Sequence, residues 1–282
     1  MSLLVFGKTG QVARELQAAE DVIALDRSSA DLSDPAACAR AIHAHAPRAV
    51  INAAAWTAVD NAEDHPQEAE VINAKAPGAM AMACAELGIP FVHISTDYVF
   101  DGTGARPFTP EDPVNPLGVY GKSKEAGEQA VRAAQGTHVI LRTSWVFSAH
   151  GANFVKTMLR LGETRDALTV VADQIGGPTS ARAIAAACLS IAKQLQSDPA
   201  LSGTYHFSGA PDVSWADFAT EIFKQADLPC AVTSIPSTQF PTKAQRPMNS
   251  RLSCDSLTAR FDIMRPDWRL DLADVLNDLK GS

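Results

Sequence analysis

At 282 residues, 46% hydrophobic and 20% charged, the chain is long enough to bury one large core or two unequal ones. A formal net charge of −8 argues against a non-specific nucleic-acid binder and against a polybasic membrane-surface protein. Five scattered cysteines with no C-x-x-C pair argue against a disulfide framework or a zinc site, and no apolar run reaches membrane length, so the sequence reads as cytoplasmic.

Short apolar runs alternate with alanine-rich stretches of helical spacing. "LLVF" (3–6), "VIAL" (22–25), "AVINAA" (49–54), "FVHIS" (91–95) and "HVILRTS" (138–144) are predicted strands. Between them "QVARELQAAE", "PAACARAIHAHAP", "PQEAEVINAKAPGAMAMACAELG" and "SKEAGEQAVRAAQ" are predicted helices, with Asp34 as the N-cap before Pro35. Strands that are apolar throughout, each followed by a helix, predict an α/β fold: a Rossmann-type, doubly wound parallel sheet covered on both faces. After residue 145 the rhythm changes. "GTYHFSG" (203–209) reads as one more strand, and 229–270, rich in Pro, Thr, Ser and Arg, reads as loops and short elements. The expected division is a cofactor lobe over 1–145 with later returning segments, and a smaller lobe over most of 146–282.

The first strand runs into Gly7-x-x-Gly10-x-x-Ala13 and then an amphipathic helix. Glycines there permit a tight turn and close approach of backbone N–H groups to a pyrophosphate, which the helix N-terminus also attracts. The second strand ends at Asp26, placed to accept from adenosine ribose hydroxyls as NAD requires, while the adjacent Arg27 suits the 2′-phosphate of NADP. Further on, Tyr120 and Lys124 in "VYGKSKEAGEQA" stand four apart, so a helix projects a phenol and an ammonium from one face.

With the nucleotide loop in place, Tyr120 and Lys124 resemble the Y-x-x-x-K pair of the short-chain dehydrogenase/reductase superfamily. Ser95 and Thr96 after the fourth apolar run match its strand-end hydroxyl, and "INAAAWTAVDNAED" (51–64) is similar to its extended branch. Seven segments, "FGKTGQV", "NAAAWTAVDNAE", "STDYVFDG", "VYGKSK", "RTSWVF", "DQIGGPT" and "RPMNSRL", resemble in order those of the dTDP-4-dehydrorhamnose reductase family, from residue 6 to residue 252. The resemblance implies hydride transfer from NADPH or NADH to the C4 ketone of a dTDP-linked 6-deoxy-hexulose, in dTDP-rhamnose and cell-surface polysaccharide synthesis. Tyr120 is then the proton donor, Lys124 binds the nicotinamide ribose and lowers the phenol's pKa, and Thr96 bonds the substrate oxygen with Asp97 beside it. By the same matching Gly7, Gly10, Gln11 and Val12 meet the pyrophosphate, Asp26, Arg27, Asp31 and Leu32 surround the adenosine, and Ala55, Trp56 and Thr57 line the cofactor cleft. Trp145 meets the substrate, and Arg246 is the candidate for the dTDP phosphates. The same resemblance allows a homodimer.

Two rivals share this pattern: a nucleotide-sugar epimerase, which keeps its NAD through turnover, and a non-catalytic NADP-binding regulatory subunit. A 4,6-dehydratase is disfavoured, because the glutamate that follows Thr-Asp in those enzymes is here Tyr98. No metal is expected. Glu15 matches one glutamate of a magnesium-linked interface found in some relatives, but Arg182 stands where another would be. His43 and His45, two apart on a helix, diverge. Trp215 and Trp268 are assigned to core or interface rather than to the cofactor.

Overall fold

The structure, a computed structural model, describes residues 2–281. Each predicted strand of the first half forms: β1 Leu3–Phe6, β2 Val22–Leu25, β3 Ala49–Asn52, β4 Phe91–Thr96 and β5 His138–Thr143. Together with Gly203–His206 they make one six-stranded sheet, in the order 203–206, β5, β4, β3, β1, β2, with every pairing parallel. Because side chains alternate along a strand, Leu3 and Val5 enter one core layer and Leu4 and Phe6 the other. The first layer is closed by helix α1 (Gln11–Ala19) and by the helix Ala181–Ser197; the second by helix α2 (Pro35–His45) and the helices Ala76–Leu87 and Val119–Ala133. Cover on both faces is why these strands are mostly apolar rather than alternating.

The carboxyl ends of the strands lie level: Phe6 pairs with Asn52 and Thr96 with Thr143. The chain leaves β1 toward β2 on one side and returns to β3 on the other. The switch point is therefore between β1 and β3, and the crevice opens above it. Asp34 caps α2 as expected, accepting from the Ala37 N–H at 3.0 Å. The stretch expected as one helix over 66–88 is interrupted. Between Pro66–Glu70 and Ala76–Leu87 the segment Val71–Lys75 opens into a π-turn in which the Ala76 N–H bonds Val71 O. Pro77 follows at once and has no N–H to give, so the regular ladder cannot run through.

A separate core gathers Phe147, Val155, Phe218, Ile222, Trp268 and Leu272 from beyond residue 145. The helix Ala181–Ser197, in the first layer over the sheet, is tied to α1 by Arg182, whose guanidinium reaches Glu15 at 3.4 Å and also Asp278 at 2.5 Å. All five cysteines are free and buried. Among the described residues no helix is long and apolar enough to cross a membrane.

Candidate active site

A cavity of about 740 Å³ occupies the crevice at the carboxyl edge of the sheet. Gly7 forms its floor at φ 102°, and a Cβ there would stand 3.4 Å from Ala53 O while the backbone is already left-handed. Gly10 begins α1 with no side chain bonded to the free N–H groups of the first turn. An uncapped N-terminus facing a cavity is a seat for an anion. Gln11 lines it with its Oε1 fixed by the Ser148 hydroxyl and the Asn153 amide, each at 2.9 Å.

At the far end Asp26 takes hydrogen bonds from the backbone and hydroxyls of Ser28 and Ser29, which hold its carboxyl well below the usual range. Lys8 approaches it at 3.5 Å, and Arg27 approaches Asp31 at 3.4 Å. Both signs of charge thus border this end, where Leu32 supplies the apolar wall. Ala55 and Thr57 line the cavity as expected, whereas the Trp56 indole turns outward against His65, ring centroids 5.7 Å apart. The loop carrying them is held by Asn73 of the π-turn, whose carboxamide bonds both the N–H and the C=O of Trp56 and the Ser123 hydroxyl.

Thr96, Asp97, Tyr120 and Lys124 meet at the cavity's centre. The helix bearing Tyr120 lies close against its neighbours because it carries small residues. A Cβ on Gly121 would stand 2.2 Å from Tyr98 O, and one on Gly127 2.0 Å from Asn73 O. Burial pushes the Tyr120 phenol up to about 12, against a lowering hydrogen bond with Thr96. That corrects the expectation of a phenol acidified by Lys124. The lysine does share the face, but its amine turns down to the sheet, donating to Ile94 O at 2.7 Å and lying 3.2 Å from His93 Nε2. Burial lowers Lys124 to about 8. Asp97 is buried and accepts from Thr96 at 3.1 Å through Oδ1, while its Oδ2 makes no close hydrogen bond; burial raises it to about 6 against the lowering influence of the Ser250 and Thr96 hydroxyls.

Trp145, packed against the Phe147–Trp268 core, closes the cavity at φ 50°, its ring stacked on Trp215 at 3.6 Å and 10°. Trp215, assigned from sequence to the core, lines the same cavity. Arg246 is outside the lining: its guanidinium is held by both oxygens of Asp60, beside Tyr98. Sequence reasoning also missed Lys8, Asn73 and His93. Only Lys8, inside the glycine loop, carried a local signal.

The RmlD substrate binding domain family model matches residues 1–280. A dTDP-4-dehydrorhamnose reductase of Sinorhizobium fredii is 45% identical over 278 residues, covering 95% of this chain and 94% of its own length. That of Escherichia coli K12 is 40% identical, covering 99% of this chain and 98% of its own. The crystal structure of dTDP-4-dehydrorhamnose reductase from Bacillus anthracis in complex with NADP superposes with a TM-score of 0.92 at 33% identity, over 99% of this chain and all of that one.

Proposed function

We infer the reaction from one premise: the chain belongs to the RmlD substrate-binding-domain family, that of the dTDP-4-dehydrorhamnose reductases. It reduces the C4 ketone of dTDP-4-dehydro-L-rhamnose to dTDP-L-rhamnose at the expense of NADPH or NADH, the reductive step of dTDP-rhamnose synthesis. The observation that carries this for its own residues is that an anion seat and a Thr–Tyr–Lys set open into one cavity.

When bound, the reduced nicotinamide supplies the hydride. The backbone of Gly7, Gly10, Gln11 and Val12 receives the diphosphate at the start of α1, and Asp26, Arg27, Asp31 and Leu32 receive the adenosine, with Lys8 beside them. Ala55 and Thr57 border the cleft. Tyr120 holds its proton, since a phenol near 12 is un-ionised at neutral pH, and presents it to the substrate oxygen. Thr96 bonds that oxygen and keeps the phenol in place. Lys124 adds positive charge where the oxyanion develops and reaches the nicotinamide ribose by swinging from Ile94 O. Asp97 offers the sugar its Oδ2, and the Trp145–Trp215 stack covers the sugar and excludes water. Arg246 takes the dTDP phosphates after exchanging its carboxylate partner. The reading keeps 1–145 with returning segments as the cofactor lobe and most of 146–282 as the substrate lobe. It is supported in a cytoplasmic setting without nucleic-acid partners by the net charge of −8 and five free thiols, and it is compatible with a homodimer.

The test follows NADPH absorbance with dTDP-4-dehydro-L-rhamnose and a UDP-linked ketosugar in parallel. Consumption with the dTDP sugar is expected. Tightly held nicotinamide in purified protein, with no net consumption, would point to an epimerase instead.

A further inference from the structure

Lys124 is only 2% exposed, yet among the described residues its amine forms no ion pair with a carboxylate. Glu128, one turn along the same helix, gives both oxygens to Arg142 at 2.8 and 2.7 Å, and also accepts from Ser95 and Arg132. A buried ammonium without a counter-charge is costly. What meets the amine is a carbonyl and an imidazole: Ile94 O at 2.7 Å and His93 Nε2 at 3.2 Å.

The direction of the second contact follows from the far side of the ring. His93 is fully buried in β4, and its Nδ1 lies 3.1 Å from the side-chain nitrogen of Asn52 on β3. The Asn52 carboxamide is oriented by the Ala54 N–H, which donates to its Oδ1 at 3.1 Å. Rotating the amide would set its NH₂ against that N–H, donor against donor. So the Asn52 NH₂ donates to Nδ1, and a neutral ring with an accepting Nδ1 carries its proton on Nε2. That proton points at the lysine, and only the lone pair of an uncharged amine can accept it.

We propose that His93, oriented by Asn52, is a positioning residue that holds Lys124 against the sheet as a free amine in this arrangement of the site. The lysine then gains its charge where it is needed, on turning to the cofactor ribose, and His93 itself touches neither substrate nor cofactor. The assignment of a catalytic task to Lys124 rests on the reductase reading above; the tautomer does not. Burial drives His93 well below 6.5 and Lys124 to about 8, and the other titratable groups acting on the pair are Glu128 on the lysine's helix and His138 at the start of β5.

The direct test is ¹⁵N NMR of histidine-labelled wild-type protein without ligands at pH ~9, above the value of about 8 to which burial brings Lys124, with His93 assigned by its loss in His93→Gln. A neutral ring protonated on Nε2 is expected. The Nδ1-protonated tautomer or an imidazolium would overturn the proposal, whatever the chain's activity. The second test is the pH profile of kcat/KM. His93→Phe keeps a ring beside Phe91 but removes the donor that favours the free amine. The alkaline limb should therefore rise by about one pH unit. His93→Gln, which keeps an N–H near Nε2, should leave the limb in place. A limb unmoved or lowered in His93→Phe, in a variant with a cooperative thermal transition, would overturn it.

Discussion

At the scale of single residues, spacing placed Tyr120 and Lys124 on one face but did not give their electrostatics. Four residues on a helix fix where two side chains leave the backbone, not where their ends go. Here the phenol stays at the cavity and the amine drops onto β4, so the phenol's acidity is set by burial. Tyr120→Phe removes only the hydroxyl and is expected to lower kcat by roughly 10² to 10⁴ with NADPH affinity little changed. Lys124→Met should lower kcat and weaken the cofactor as well. Steady-state kinetics with fluorescence titration of NADPH separate the two, and a Tyr120→Phe enzyme keeping more than about a tenth of its turnover would move the proton elsewhere. Asp97 carries a stability signature. In the fold its pKa, about 6, lies above the ordinary 3.8, so the folded chain binds the extra proton and stability falls as pH rises through that window. Asp97→Asn keeps the acceptor for Thr96 and removes this loss. It should raise stability at pH 8 by up to about 3 kcal/mol, have little effect near pH 4, and lower kcat/KM. Urea denaturation at the two pH values measures it; equal effects at both would show that the carboxyl is not desolvated.

At the scale of elements, the five strands of the first half were legible because each sends apolar side chains to both core layers, although β2 at the sheet edge is only partly buried. The glycine loop was legible because its chemistry is local, with strand, turn and helix start in succession. The π-turn was not, although Pro77 marked it. What the turn accomplishes depends on Asn73 reaching a loop 17 residues away and a helix 50 residues away. Trp215 was missed for a related reason. An indole at the start of a helix looks like core until the fold sets Trp145 against it, and Trp145 sits at a positive φ that no periodicity reveals. His93 lies within a buried strand and reads as one more filler of the sheet. The close packing behind Tyr120 is testable on the element itself. Gly127→Ala gains up to about 1 kcal/mol in helix propensity. The new methyl, however, meets Asn73 O at 2.0 Å, and overpacking of this kind costs about 1–3 kcal/mol or more. A net loss in thermal stability is expected, with a raised KM for NADPH because Asn73 holds the 55–57 loop. A variant more stable than wild type would mean that the helix has room to move.

At the scale of the molecule, two cores meet at one cavity. The sheet supplies the anion seat and the acid, and the Phe147–Trp268 core supplies the tryptophan wall facing them. Neither half holds a complete site, which is why the carboxyl edge of the sheet, level from Phe6 to Thr143, is where the chemistry converges. The same sheet could carry an epimerase, in which the nicotinamide takes back what it gives, so the decisive quantity is where the hydride ends. NADPH deuterated at its transferable position, incubated with dTDP-4-dehydro-L-rhamnose and this chain, should be consumed one for one and leave deuterium at C4 of dTDP-L-rhamnose, seen by NMR and mass spectrometry of the product. Unlabelled sugar, or sugar converted while NADPH persists, would contradict the account.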